Sequence, residues 1–182
     1  IYNFNLTQYP KLIRVRDIFV FQCLIGARVG DMVKLTTDNI INGNLVYIAN
    51  KTKDENPEPV TIPLGKKAKT ILKKYKTTSG QLLPFITGQK YNEYLKELFK
   101  VVGITRNVQR INPTTGKPET VRICDIVSSH MARRTFVGSM HAKGVKNEVI
   151  ASMSGHKKDS RAFSRYYEVE KKLKNDAIEL ID

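Results

Sequence analysis

Asn42-Gly43 stands between two short apolar runs, Asn39–Ile41 and Leu45–Ala49, and a third run follows at Val60–Pro63. Asn-Gly tolerates positive φ at both central turn positions, so it predicts a type I′ hairpin. A two-residue connection leaves only antiparallel pairing. The polar segment Asn50 to Pro59 then lifts Lys51 and Lys53 away from the sheet. Helical patterns surround these strands. Leu12 to Ile25 is apolar on most sides and reads as a buried helix stopped by Gly26. Asp31 is expected to cap a short turn carrying Met32 and Leu35.

Gly65 to Tyr75 places Ala68, Ile71, Leu72 and Tyr75 on one face and lysines on the other. After Leu83-Pro84, Gln89 to Val102 repeats the pattern through Tyr91, Tyr94, Leu95, Leu98 and Phe99. Arg106 to Arg122 carries Pro113, Gly116 and Pro118 and reads as a basic loop or loose hairpin. Ser128-Ser129 offers N-caps for a helix to Lys143, with Gly144 as its stop, and Asn147 to Met153 is a short helix. Ser160 can cap a helix carrying Tyr166, and the tail from Glu168 to Asp182 is amphipathic. The expected class is α+β, mainly α-helical with one small three-stranded antiparallel sheet.

A chain of 182 residues suits one domain with a sizeable core. It opens at Ile1 in mid-pattern, so a fragment of a longer polypeptide is expected. No apolar run is long enough to span a bilayer. Lys and Arg number 31 against 17 Asp and Glu, a net charge of +14. Such an excess suits a polyanion, because each neutralised phosphate releases condensed counterions. The basic residues are scattered rather than gathered on one amphipathic helix, which favours nucleic acid over a membrane surface. Cys23 and Cys124 are the only cysteines and are expected to be reduced. No Cys/His cluster has metal-ligand spacing, and neither metal nor cofactor is expected.

The chemistry-bearing residues gather between His130 and Val169. His130 and Arg133 are three residues apart and share a helical face near an N-terminus, where backbone N–H groups favour phosphate. Gly155 ends a short helix and sets His156 at the start of a loop. Tyr166 and Tyr167 follow an Arg-Ala-Phe-Ser-Arg lead. A phenol with a free pKa of about 10 attacks poorly unless cations or a base lower it, and nearby arginines and histidines would do that. Upstream, Arg28 lies between Gly26 and Gly30, with Asp31 available to pair with it or to cap the next turn. A guanidinium there can make bidentate contacts to phosphate oxygens.

The ordered set of Arg28, a hairpin lysine, His130-x-x-Arg133, Gly155-His156 and a following tyrosine resembles the catalytic domain of the tyrosine recombinases, the phage-integrase family. The stretch HMARRTFVGSMHAKGV is similar to that family's central helix, and the likeness runs from Gly26 to Val169. The resemblance implies that Arg28 and Arg133 clamp the scissile phosphate and that His130 assists proton transfer. It further implies that His156 donates to a non-bridging oxygen, that Lys51 protonates the 5′-oxygen and that Tyr166 is the nucleophile. Lys53 and Tyr167 remain the alternatives. Lys51-Thr52 matches the family's Lys-Thr step, and Val169 follows Tyr166 as in Tyr-x-x-Val.

The implied activity is site-specific cutting and rejoining of DNA through a 3′-phosphotyrosyl intermediate. A type IB topoisomerase-like relaxation and a non-cleaving DNA-binding protein are the competing readings. Residues 1–182 are expected to form one catalytic domain without the family's N-terminal DNA-binding domain, with 170–182 a tail helix that either docks on a neighbouring protomer or packs on its own domain. Double-stranded DNA is the expected partner, contacted by Arg106, Arg110, Lys117, Arg122 and Arg134. A homo-tetramer on DNA, a monomer without it and a bacterial cytoplasmic location complete the implied picture.

Overall fold

The computed structural model describes residues 1–50, 58–75 and 80–156. Lys51, Lys53, Tyr166, Tyr167, the helix expected after Ser160 and the 170–182 tail lie outside them. The chain folds around its first helix, α1 (Pro10–Ile25). Leu12, Val15, Ile18, Phe19, Phe21 and Ile25 of this helix are each at most 4% exposed. They point to more than one side, so α1 is a core helix rather than a surface one. Burying each such side chain contributes about 1.5–3 kcal/mol. Pro10 occupies the first turn, where its missing N–H costs nothing. Gly26 closes the helix in the left-handed region at φ 67°, as the sequence predicts.

A short α2 (Val29–Met32) follows, and a single 3₁₀ turn (Thr37–Asn39) leads into the sheet. Strands β1 (Ile40–Ile41), β2 (Asn44–Tyr47) and β3 (Val60–Pro63) pair antiparallel in that order. Asn42 and Gly43 have φ of 49° and 78°, the two positive values the hairpin requires. Leu45, Tyr47, Val60 and Ile62 face the core. Two amphipathic helices pack against α1: α3 (Lys66–Lys74) and α4 (Gly88–Val101). Buried Asp17 ties α1 to the end of α3, accepting from Tyr75 Oη at 2.9 Å and Lys74 Nζ at 3.3 Å. Phe99 of α4 meets Phe19 edge-on at 5.5 Å.

The Arg106 to Arg122 segment is more ordered than the loop or loose hairpin the sequence suggested. It forms a regular two-stranded ribbon, β4 (Asn107–Ile111) and β5 (Pro118–Arg122), with Val108 opposite Val121 and Arg110 opposite Glu119. A short α5 (Ile123–Ile126), unforeseen in the sequence, leads to α6 (Ser129–His141) and α7 (Asn147–Ser154). The mainly helical α+β class with a three-stranded antiparallel sheet is therefore as expected, and the ribbon is added to it. None of the helices described is long and apolar enough to cross a membrane.

Candidate active site

Helix α6 packs along α1, and this crossing builds the site. Phe136 of α6 lies against Gly26 so closely that a Cβ there would sit 2.4 Å from the ring. Gly26 is thus required twice, for its positive φ and for this close approach. One turn earlier on α6, Arg133 is 1% exposed and donates through Nη1 to the Gly26 carbonyl at 2.8 Å. The turn between α1 and α2 is held again at the next residue, where Gln22 Nε2 donates to the Ala27 carbonyl at 3.0 Å. Gln22 in turn accepts from the buried Tyr91 hydroxyl at 3.2 Å. Arg28 is therefore presented by a turn fixed from α1, α4 and α6.

Arg28 reaches across to α7, where Nη2 lies 3.4 Å from the Gly155 carbonyl. Its Nη1 is buried and has no hydrogen-bond partner among the described residues. A buried guanidinium nitrogen without a partner is expensive, and an anionic oxygen would satisfy it. Gly155 has φ 63°, as predicted for the stop of α7. Its α-carbon lies flat against the sheet, because an added Cβ would come within 3.3 Å of Ala49 and 3.1 Å of Val60. That turn delivers His156 to Arg133, with Nη2 2.8 Å from Nε2.

Asp31 departs from expectation. It neither caps a turn nor pairs with Arg28, and α2 begins after Arg28 with no side-chain cap. Its Oδ1 accepts the Asn50 backbone N–H at 3.0 Å instead. Ser128 likewise occupies the N-cap of α6 without a side-chain bond; the Ser129 N–H is met by Asn92 Oδ1 at 2.8 Å.

Arg28, Asp31, Asn50, Ser129, His130 and Arg133 share the walls of a cleft of about 380 Å³. His156 is bonded to Arg133 at this cleft, so four of the six expected catalytic residues converge; Lys51 and Tyr166 lie outside the described residues. Burial, then the charges of Arg133 and Arg28, push the His156 pKa down to about 3. His130 is lowered in the same direction by partial burial and by Arg133, Arg134 and Arg28. Both rings are neutral at pH 7. Tyr47, at the end of β2, is pushed up to about 12 by burial and the Asp31 charge, and its hydroxyl has no partner among the described residues.

The residues expected to contact DNA are distributed differently. Arg110 bonds Glu119 at 2.6 Å and Arg122 bonds Asp125 at 3.0 Å, so both are in ion pairs on or beside the ribbon. Arg106, Lys117 and Arg134 are exposed. Gln22, Tyr91, Asn50 and Ser154 were not anticipated as site residues. Gln22 alone carried a signal, a polar residue inside an apolar run.

The family model described as Phage integrase family matches residues 2–172. The chain belongs to the phage integrase family. No curated protein matches this integrase-family chain. Among solved structures it is similar to XerA recombinase, with 15% identity and a TM-score of 0.65 over 94% of this chain and 59% of that one. A lambda integrase dimer bound to a COC′ core site shares 20% identity at a TM-score of 0.59, over 87% and 53% of the two chains. The Tn1549 transposon integrase in complex with transposon right end DNA shares 13% identity at 0.59, over 97% and 61%. The integrase-family chain thus spans less than two thirds of each of these structures, and they share its fold.

Proposed function

We propose that this chain is the catalytic domain of a site-specific tyrosine recombinase that cuts and rejoins DNA through a 3′-phosphotyrosyl intermediate. The observation that carries the reading is the convergence of Arg28, His130 and Arg133 on one cleft, with His156 bonded to Arg133 and a buried Arg28 nitrogen unpartnered among the described residues. Two guanidiniums held by the backbone are preorganised donors for the charge that builds on the equatorial phosphate oxygens. His156 adds a third contact to a non-bridging oxygen.

Tyr166 is the assigned nucleophile and Lys51 the general acid. The Tyr166 oxygen bonds to phosphorus as the bond to the 5′-oxygen breaks. The phenolic proton passes to His130, whose lowered pKa keeps the ring neutral and basic toward it at neutral pH. Lys51 supplies a proton to the departing 5′-oxygen. The products are a 3′-phosphotyrosyl bond and a 5′-hydroxyl, and attack by another strand's 5′-hydroxyl reverses the step. Binding of double-stranded DNA, tetramer assembly on it through the 170–182 tail and a bacterial cytoplasmic setting follow from the same reading.

The test is a nicked duplex carrying the end of the element, incubated with the full-length protein that bears this chain. Protein joined to the 3′ end, lost on Tyr166→Phe, is the expected result. Loss with Tyr167→Phe alone would move the nucleophile by one residue. Tight binding with no adduct from any version would leave a DNA-binding protein, and relaxation of one strand without exchange would leave a topoisomerase.

A further inference from the structure

His156 has a neighbour that none of these roles uses. Ser154, at the end of α7, is 0% exposed. Its Oγ lies 2.7 Å from His156 Nδ1 and 2.6 Å from the Ile150 carbonyl. Arg133 Nη2 lies against the ring within reach of both nitrogens, 2.8 Å from Nε2 and 3.1 Å from Nδ1. These contacts place the proton of a neutral imidazole. The single Ser154 proton is taken by the Ile150 carbonyl, which leaves Oγ as an acceptor. Nδ1 then carries the hydrogen and Nε2 is bare. The opposite tautomer would set the Nδ1 lone pair 2.7 Å from Ser154 Oγ, whose proton is already committed to the Ile150 carbonyl.

We propose that Ser154 is a positioning residue that holds His156 as its Nδ1–H tautomer, so that Nε2 can donate to a phosphate oxygen only when the ring takes up a second proton. The inference rests on the assignment of His156 to the scissile phosphate. Among the described residues, the charges facing the ring are cationic: Arg133 from α6 and Arg28 from the turn before α2, with neutral His130 beyond. Asp31 is the carboxylate lining the same cleft. Without DNA this surrounding keeps the ring neutral. A phosphodiester anion would offset the arginines, draw Arg133 away from Nε2 and favour the imidazolium, with Nδ1–H on Ser154 and Nε2–H on the phosphate.

The sequence carries this device in the step Ser154-Gly155-His156. Gly155 in its left-handed conformation folds the ring back over the last turn of α7, where Ser154 waits. Without that reversal the serine and the imidazole would diverge.

The experiment has two arms, with wild type, Ser154→Ala and Ser154→Thr. Imidazole ¹⁵N spectra of the free protein read the tautomer directly. Wild type and Ser154→Thr should show Nδ1–H, and Ser154→Ala a mixture containing Nε2–H. Single-turnover cleavage of the nicked duplex across a pH series reads the consequence. Wild-type cleavage through His156 falls about tenfold per pH unit above the DNA-bound pKa, as for any single required proton. Because the alanine variant can donate from a neutral ring, the ratio of its rate to the wild-type rate should climb by the same factor. A merely structural loss would lower the rate equally at every pH. Nε2–H in the wild type, an unchanged tautomer in Ser154→Ala or a constant rate ratio would each overturn the proposal. If the tautomers are as expected and no version cuts DNA, the tautomer control stands and the recombinase reading fails.

Discussion

Asp31 Oδ1 accepts the Asn50 backbone N–H at 3.0 Å, which ties the turn carrying Arg28 to the residue just before Lys51. Asp31→Ala leaves that N–H unpaired and should destabilise the fold by about 1–3 kcal/mol in urea denaturation. Asp31→Asn keeps the acceptor. We expect it to retain stability close to wild type. Equal losses from the two variants would show that the bond to Asn50 contributes nothing.

Gly26→Ala should be far more damaging than an ordinary glycine substitution. The left-handed backbone and the collision with Phe136 together predict a loss of about 2–5 kcal/mol. A double variant that also shortens Phe136 to leucine should recover part of it, measured as a rise in the denaturation midpoint.

Arg133→Lys keeps the charge yet cannot bond both Gly26 and His156. Cleavage of the nicked duplex should fall about a hundred- to a thousand-fold, the scale of losing one preorganised donor. DNA binding by gel shift should change little, because many phosphate contacts remain.

His156 also gives the fold a pH dependence. Its pKa of about 3 in the folded chain lies below the ordinary histidine value of 6.5, so the unfolded chain binds the proton more readily. The stability contribution is complete above pH 6.5 and is lost as pH falls toward 3. Its slope is at most about 1.4 kcal/mol per pH unit, reduced by solvent screening because the ring is partly exposed. Urea midpoints measured from pH 7 to pH 4 should therefore fall less steeply in His156→Gln than in wild type.

On the ribbon, Arg106 and Lys117 are in no ion pair among the described residues, whereas Arg110 and Arg122 are. Arg106→Ala and Lys117→Ala should each lower the salt-dependence slope of DNA binding by about one. Arg110→Ala, which leaves the Glu119 charge without its cation while Asn112 still bonds it, should weaken binding without the same drop in slope.

What could be read from the sequence was local. Asn42-Gly43, Gly26 and Gly155 each dictate a backbone conformation by themselves, and all three turns are where those residues place them. The apolar faces of α3 and α4 follow from the helical period. The polar partners are another matter. Asp31 looks like a cap until Asn50 is brought to it by the sheet, and the bond that locks Arg133 to the Gly26 carbonyl cannot be seen until α6 crosses α1. Pro113, Gly116 and Pro118 masked the alternation that pairs β4 with β5, since breakers at a hairpin tip look the same as breakers in a loop. Ser154 was invisible for a similar reason: its role depends on where a glycine sends the next residue.

The ribbon leaves and re-enters the domain at one point, where the Ile123 N–H meets the Arg106 carbonyl at 3.0 Å. Val108 packs its inner face against the core, and none of the ribbon's residues lines the cleft. Grafting a ribbon of another length or charge would redraw the surface offered to a polyanion and leave the chemistry alone. On the proposed function, target preference and bond-breaking would then drift independently, and an engineer could retune one while holding the other constant.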